Sequence, residues 1–353
     1  MKIIIDAMGG DNAPAEIIKG AAQAVAEYNV ELVFVGDSTQ ITAVAQEIGF
    51  DLTPHSVVHT DVAVTMDDDA MVVLHAKKES SLCVGLRMLA AGEGDAFVSA
   101  TNTAALFTAA SLIVRKIPGI QRAAIGSVLP MKPPVLLLDS GANIIVNEDY
   151  LEQFAIMGSA YVRSVNNIER PRVGLLNNGE EPTKGTQLQI DTYARLAANG
   201  DINFVGNVEA NKIPFDICDV IVADGFAGNV LLKTVEGMGK LLLTTFKDMF
   251  YANVRTKAAG MLIMDKIDLV KKEFDPAEYG GAPLLGLKMP VIKAHGSSKA
   301  KAFKNAIRQA MEYAQSNVVA ETTTEIKRIT DERKKAAEQQ SVETVEPILE
   351  EIK

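Results

Sequence analysis

The sequence predicts an α/β fold with three layers, α/β/α, in which helices cover both faces of a Rossmann-like sheet of parallel strands. Two observations predict this fold. Short apolar runs alternate with longer amphipathic segments along most of the 353 residues, as in chains built from strand–helix–strand units. Glycines and small polar residues follow directly after many of the apolar runs, at the positions where such sheets bind ligands.

Nine apolar runs are predicted as strands. Each run is short, and several have no polar face, as expected for parallel strands that helices cover on both sides. In chain order they are residues 2–6, 31–36, 96–100, 123–129, 135–139, 172–176, 202–206, 219–223 and 291–294.

Four amphipathic segments between these strands are predicted as helices. They are residues 14–28, 102–116, 148–163 and 185–199. Pro14 suits the start of the first helix, because the first turn of a helix makes no use of the N–H group that proline lacks.

Two segments depart from this alternation. Residues 229–274 have an almost continuous helical pattern, which predicts a long helical hairpin protruding from a single catalytic domain of residues 1–320. Residues 321–353 contain nine acidic and six basic residues but few apolar ones. This composition predicts a charged C-terminal helix with a frayed or disordered end.

The composition argues against several classes of function. A formal net charge of −10 and the absence of tryptophan disfavour binding of nucleic acid, which needs a basic surface and stacking aromatic rings. With only two cysteines, Cys83 and Cys218, we expect neither a disulfide framework nor a metal centre. The dinucleotide fingerprint, the P-loop and the G-x-S-x-G nucleophile motif are absent, so no cofactor is expected.

The N terminus lacks the apolar region of a signal peptide. The longest uncharged stretch, residues 96–114, has the length of a membrane span but contains six Ser, Thr or Asn residues. A strand, a polar turn and a helix explain it better. We therefore expect a cytoplasmic protein.

Six loops after predicted strands are rich in small polar residues. They are residues 6–12, 99–103, 139–143, 177–185, 224–229 and 295–298. Several of them open a helix, whose N-terminal N–H groups and dipole attract small anions such as phosphate. Helix capping and tight turns explain each loop by itself, but their number predicts a shared anion-binding pocket.

Lysines and one histidine near these loops could add chemistry to such a pocket. Lys184, Lys233 and Lys293 could supply positive charge, although a solvated surface position explains each of them as well. His295 lies between a predicted strand end and a helix start, and both a functional and a structural role stay open. The other three histidines, His55, His59 and His75, are expected at the surface.

Taken together, these loops resemble the bacterial phosphate acyltransferase family (acyl-carrier-protein:phosphate acyltransferase). The resemblance covers about residues 1–320, and its blocks keep the family's order and spacing. The blocks are residues 6–11 (Asp-Ala-Met-Gly-Gly-Asp), 137–143, 172–179, 203–209, 224–230, 279–286 and 293–298. A further block, residues 99–105, departs from the family pattern, because Thr101 and Ala104 stand where the family usually has glycine.

The resemblance implies a fold similar to that of isocitrate and isopropylmalate dehydrogenases, and a homodimer that works without metal or nucleotide. It also implies a reaction, in which inorganic phosphate attacks the thioester of a long-chain acyl carrier protein and yields an acyl phosphate. A membrane glycerol-3-phosphate acyltransferase would then use the acyl phosphate for phospholipid synthesis. A peripheral association with the membrane follows from the same resemblance.

Such a reaction needs no nucleophile from the enzyme, because phosphate attacks by itself. The site must hold a dianion beside the thioester and stabilise the oxyanion that forms. From their positions in the loops, we infer Lys184, Asn229 and His295 as catalytic residues. The residues inferred to bind phosphate or substrate are Asp6, Gly9, Gly10, Asn102, Thr103, Gly141, Asn143, Asp224, Gly228 and Ser297.

The predicted hairpin carries a candidate membrane contact. Met261, Leu262 and Ile263 form an apolar tip, and Arg255 and Lys257 are among the basic residues that flank it. An apolar segment with basic flanks suits a helix lying on an anionic lipid surface. Packing in a dimer interface is the alternative.

Three other functions remain open at this stage. The first is a short-chain phosphate acyltransferase that acts on coenzyme A thioesters. The second is a membrane scaffold without catalysis, which would only dock the downstream acyltransferase. The third is a dehydrogenase, which the fold alone permits.

Overall fold

The structure is a computed structural model that describes residues 1–350. Side chains are described for residues 1–335, apart from positions 259, 265, 268 and 276. Within these limits the chain forms one large sheet of eleven strands with helices packed on both faces. The predicted α/β fold is therefore confirmed.

The nine predicted strands are present, and their ends differ from the prediction by three residues or fewer. The strands are β1 (Lys2–Asp6), β2 (Glu31–Gly36), β3 (Ser56–His59), β4 (Ala96–Ser99), β5 (Ala124–Leu129), β6 (Val135–Leu138), β7 (Arg172–Asn177), β8 (Asn203–Glu209), β9 (Val220–Val222), β10 (Gly281–Leu285) and β11 (Val291–Ala294). The two strands that the sequence did not predict are β3, which is short and polar at both ends, and β10, which contains a glycine and a proline that are typical of turns.

The helices include the four predicted ones and several more. They are α1 (Ala15–Tyr28), α2 (Ser38–Ile48), α3 (Ser81–Ala90), α4 (Thr103–Ile113), α5 (Glu148–Asn166), α6 (Gln187–Ala198), α7 (Gly225–Tyr251), α8 (Val254–Leu262), α9 (Met264–Glu273), α10 (Pro276–Tyr279), α11 (Ala300–Gln315) and α12 (Val318–Glu350).

The sheet is mixed, and the expectation of a wholly parallel sheet is wrong. Its strand order is β3-β2-β1-β4-β11-β10-β5-β6-β9-β7-β8. The first five strands are parallel to one another, and so are the last four. Between them, β10 is antiparallel to both β11 and β5, and β5 is antiparallel to β6. The apolar pattern of a strand carries no information about its direction, so the sequence could not reveal this reversal.

Alternation of side chains along the strands divides the core between the two faces of the sheet. Ile3 and Ile5 of β1 pack with Ile17 of α1 and Phe303 of α11. Ile4, between them, packs on the opposite face with Leu86 of α3. The three-layer arrangement follows directly from strands that are apolar on both sides.

The segment predicted as a helical hairpin consists of α7, α8 and α9. The first helix is 27 residues long and starts at Gly225, and the two that follow have nine and ten residues. Many apolar side chains on these helices are exposed, among them Leu262 at 84% and Val254 at 85%. In the part of the chain that the structure describes, no helix combines the length and apolarity needed to cross a bilayer.

The charged C-terminal segment continues the fold as α12. Ile326 of this helix is buried in the main core, and Arg163 of α5 forms ion pairs with Glu321 and Glu325. The domain boundary predicted at residue 320 falls inside this helix. The frayed end predicted for this segment includes residues 351–353, which lie outside the described residues.

Candidate functional site

A cavity of about 500 Å³ opens in the middle of the sheet, between β5 and β10. These two strands pair only at Leu284–Ile125 and Leu285–Ala124. Beyond that point the two strands no longer pair, and β5 pairs on its other side with β6. The cavity is lined there by Ser127 of β5 and by Ala282 of β10, so the break in the ladder creates the space.

One part of the cavity wall carries positive charge. Lys293 projects from β11 and Lys233 from α7, and both line the cavity. Lys233 Nζ also forms an ion pair with Glu236 Oε2, on the same helix and also at the cavity, at 2.7 Å. Burial, together with the charge of Lys233, lowers the pKa of Lys293 to about 8. A bound anion would stabilise the charged form of Lys293, so this part of the wall favours binding of a small oxyanion.

His295 lines the cavity directly after β11. Its Nδ1 atom accepts a hydrogen bond from the backbone N–H of Ser297 at 3.3 Å and lies 2.9 Å from the Ser297 hydroxyl. Burial and the charges of Lys293 and Lys233 lower the pKa of His295. The ring is therefore neutral at physiological pH, with its proton on Nε2, where it can donate a hydrogen bond.

Apolar side chains line much of the remaining cavity, beside polar groups that include Ser127, Ser140 and Glu236. Ile144 and Phe226 stand at this wall with 69% and 65% of their surface exposed. The other apolar side chains of the wall are Ile125, Val128, Pro130, Leu232, Val235 and Phe274. Lysines, a carboxylate, hydroxyl groups and apolar side chains thus share one cavity.

The turn after β6 is held by the buried carboxylate of Asp139. This carboxylate accepts hydrogen bonds from five N–H groups: the backbone groups of Ile125, Gly141, Ala142 and Asn143, and the side-chain amide of Asn143. Burial raises the pKa of Asp139, and these hydrogen bonds oppose the rise. The result is a rigid turn that presents Ser140 and Gly141 to the cavity.

The N terminus of α7 packs directly on this turn. Asp224 caps the helix by accepting hydrogen bonds from the N–H groups of Phe226 and Ala227, both at 2.9 Å. At Gly228, a Cβ atom would lie 1.9 Å from the carbonyl oxygen of Asp139. This close approach brings Asn229 to the cavity wall beside Gly141.

The loop after β1 packs against the loop that carries His295. Asp6 is buried and accepts hydrogen bonds from Ser81 Oγ at 2.6 Å and from Ser99 Oγ at 2.7 Å. Gly10 has φ +102°, and a Cβ there would lie 2.9 Å from the carbonyl oxygen of Gly296. Gly10 and the N–H group of Asp11, which donates to the carbonyl oxygen of Gly296 at 2.9 Å, hold the loop that carries His295. Neither Asp6 nor Gly10 lines the cavity.

The structure brings four of the predicted site residues to the cavity, namely Thr103, Gly141, Asn229 and His295. The other predicted residues lie elsewhere: Lys184, Asp6, Gly9, Gly10, Asn102, Asn143, Asp224, Gly228 and Ser297. Most of these shape the loops around the cavity. Lys184 is exposed in the loop after β7, beside Gly179.

Asn102 illustrates why a polar loop residue need not face the ligand. Its Oδ1 atom caps α4 by accepting hydrogen bonds from the N–H groups of Ala104 and Ala105. Its Nδ2 group donates to the carbonyl oxygen of Met66 at 2.9 Å. The neighbouring Thr101 is buried and donates a hydrogen bond to the carbonyl oxygen of Val64.

Several polar groups that the structure places in the cavity are not among the predicted site residues, including Ser127, Ser140, Lys233, Glu236 and Lys293. Ser127 and Ser140 were not chosen, because serine in a strand or turn carries no distinctive signal. Lys293 was weighed only as one of several lysines. Its position between Ile292 and Ala294, inside an otherwise buried strand, is the signal that could have identified it. Among the described side chains, no group of three or more His, Cys, Asp or Glu is arranged to hold a metal ion.

Sequence comparisons place these features in a family. The family described as "Fatty acid synthesis protein" matches residues 1–321. A phosphate acyltransferase of Thermoanaerobacterium thermosaccharolyticum is 42% identical over 334 residues, which cover 94% of this chain and 98% of the relative. A phosphate acyltransferase of Oceanobacillus iheyensis is 41% identical over 338 residues, covering 93% and 98% of the two chains.

Solved structures of similar fold include a phosphotransacetylase from Streptococcus pyogenes, with a TM-score of 0.58 and 17% sequence identity. The similarity covers 89% of this chain and 94% of that one. A branched-chain phosphotransacylase from Enterococcus faecalis has a TM-score of 0.54 at 15% identity, covering 90% and 100%. At these identities the structures show a shared fold, whereas the sequence relatives show the family. The chain therefore belongs to the bacterial phosphate acyltransferase family and is an acyltransferase.

Proposed function

We propose that the protein transfers a fatty acyl group from acyl carrier protein to inorganic phosphate and releases an acyl phosphate. The observation that carries this proposal is one cavity that is lined both by lysines, with His295 beside them, and by apolar side chains. Lys293 and Lys233 suit phosphate, and the wall that includes Ile144 and Phe226 suits an acyl chain. Both parts of the substrate pair would thus meet in one space.

In the proposed reaction, an oxygen atom of hydrogen phosphate attacks the carbonyl carbon of the thioester. The carbonyl oxygen becomes an oxyanion, which Lys293 and the Nε2–H group of His295 stabilise. The oxyanion re-forms the carbonyl group as the C–S bond breaks, and the carrier leaves as a thiolate, which takes up a proton equivalent to the one that the attacking hydrogen phosphate loses on becoming acyl phosphate. Because thiols have a pKa of about 8.5, the thiolate leaves without a strong acid. Asn229 would orient phosphate from the N terminus of α7.

The test is phosphate-dependent cleavage of a long-chain acyl carrier protein by the purified chain. We expect one carrier thiol to appear per acyl phosphate formed, with the acyl phosphate trapped by hydroxylamine after separation from the thioester. Faster turnover of short-chain acyl-coenzyme A than of acyl carrier protein would favour the short-chain alternative. Absence of phosphate-dependent cleavage with either substrate would leave the non-catalytic scaffold.

We further propose that α7, α8 and α9 form the contact surface of a homodimer and of the membrane. Their exposed apolar side chains include Leu241, Met249, Met261 and Leu262, each more than half exposed. Exposed apolar groups in this number on neighbouring helices mark an interaction surface. A peripheral site on the cytoplasmic face of the membrane would deliver acyl phosphate to a glycerol-3-phosphate acyltransferase.

Replacing Leu262 with glutamate is expected to reduce binding to vesicles of anionic lipid about tenfold, because a charge replaces an apolar group at the lipid surface. Arg255 and Lys257 would supply the attraction to the headgroups. Vesicle flotation measures the effect. The matched control is Leu112→Glu, which alters an exposed leucine on α4. Equal flotation of the two variants would contradict the membrane contact, and gel filtration separates it from loss of the dimer.

A further inference from the structure

Two hydroxyl groups on the cavity wall form a chain of hydrogen bonds that leads away from the cavity. Ser127 Oγ donates to Ser140 Oγ at 2.7 Å. Ser140 Oγ donates in turn to the carbonyl oxygen of Ile125 at 3.1 Å. Ser140 is buried, whereas Ser127 is half-buried on β5. Because a carbonyl oxygen can only accept, the chain has a direction, and both hydroxyl protons are used inside the protein.

In this arrangement Ser127 offers the cavity only its lone pairs. A molecule that binds to Ser127 Oγ without disturbing the chain must therefore donate a hydrogen bond. Near neutral pH, hydrogen phosphate carries a P–O–H group, whereas sulfate has no proton to donate. The two anions are otherwise similar in size and shape, so a hydrogen-bond acceptor is a physical means of telling them apart.

We propose that Ser127 accepts a hydrogen bond from the P–O–H group of hydrogen phosphate and thereby selects phosphate over fully ionised oxyanions. This inference rests on the proposed function, in which phosphate binds beside Lys293 and Lys233. Lys293 attracts any small oxyanion by charge, as does Lys233 to the extent that its ion pair with Glu236 allows, and charge attraction does not discriminate between phosphate and sulfate. The hydrogen-bonded pair Ser127 and Ser140 would add the discrimination between phosphate and sulfate that charge attraction cannot supply.

The position of Ser140 makes the selection depend on two residues. To donate to sulfate, Ser127 would have to turn its proton towards the cavity and leave Ser140 without its donor. The loss of one such hydrogen bond corresponds to a preference of roughly tenfold for hydrogen phosphate. Ser127 makes the contact, and Ser140 fixes the direction of its proton.

Two single variants test the proposal in the full-length chain. Ser127→Ala should raise the KM for phosphate about tenfold and leave the inhibition constant of sulfate nearly unchanged. Ser140→Ala should release the Ser127 proton, so that sulfate inhibits several-fold more strongly than in the parent protein. Arsenate, which carries an As–O–H group, should follow phosphate in every variant.

The outcomes separate this inference from the proposed function. Equal weakening of phosphate and sulfate in Ser127→Ala, or unchanged sulfate inhibition in Ser140→Ala, would overturn the selection by Ser127. Titration calorimetry with phosphate and with sulfate measures the same preference without turnover. In one outcome the parent protein cleaves no thioester and still binds phosphate more tightly than sulfate. If that preference is then lost in both variants, the proposed reaction fails and the anion selection stands.

Discussion

Replacing Lys293 with methionine is expected to lower kcat/KM for phosphate by about 100-fold, the effect typical of removing one group that stabilises a developing oxyanion. Methionine keeps the length and apolar character of the side chain but removes the charge. Lys293 lies on a strand in the sheet interior and lines the cavity. Initial rates at varied phosphate concentration measure the effect.

The pH dependence gives a second signature of this lysine. Its pKa of about 8 means that, as pH rises through 8, free protein loses the cation that binds phosphate. The value of kcat/KM for phosphate, which reports groups of the free enzyme, should therefore fall above pH 8. In Lys293→Arg the side chain stays charged throughout this range, so the fall should disappear.

The ratio of kcat/KM in the parent protein to that in Lys293→Arg, plotted against pH, isolates the ionisation of Lys293. The ionisation of phosphate affects both proteins alike and cancels in this ratio. Lys288→Met, at an exposed lysine between β10 and β11, is the matched control and should retain the parent profile. Lys184→Met tests the residue that the sequence suggested. A smaller loss of kcat/KM in Lys293→Met than in Lys184→Met would contradict the role given to Lys293.

The fold could be predicted from the sequence to the extent that burial determines it. Strands that are apolar on both faces, such as β1 and β4, are recognisable because their consecutive apolar residues enter the cores on both sides of the sheet. β10 was missed because Gly281 and Pro283 have the composition of a turn, although both lie inside the sheet. That strand reverses the direction of the sheet and forms one wall of the cavity, so the central feature of the site was also hidden.

The candidate site could be predicted at the level of loops but not of side chains. The polar loops do lie around one cavity. Most of their polar side-chain atoms, however, form hydrogen bonds within the loops and not to the cavity. Asp139 and Asn102 bind backbone N–H groups of their own turns, as short polar side chains generally do. Which residue faces the cavity depends on the direction of each side chain after folding, and loop composition does not contain that information.

Gly228→Ala is expected to destabilise the protein by about 3 kcal/mol, at the upper end of what overpacking a core position usually costs. A Cβ at this position would lie 1.9 Å from the carbonyl oxygen of Asp139. That oxygen belongs to a turn fixed by five hydrogen bonds to the Asp139 carboxylate. The turn cannot move alone, so α7 must shift away from β6.

A shift of about 1 Å at this helix would displace Asn229 and Lys233 from phosphate, and misplacement of that size can lower a rate about 100-fold. Gly237→Ala, in the same helix, is the matched control, because a Cβ there meets no atom within 4 Å. Alanine in a helix is favoured over glycine by up to about 1 kcal/mol, so this variant should be slightly more stable and fully active. Urea unfolding and phosphate-dependent turnover measure both effects. Equal stability of the two variants would show that α7 does not pack on the Asp139 turn as closely as described.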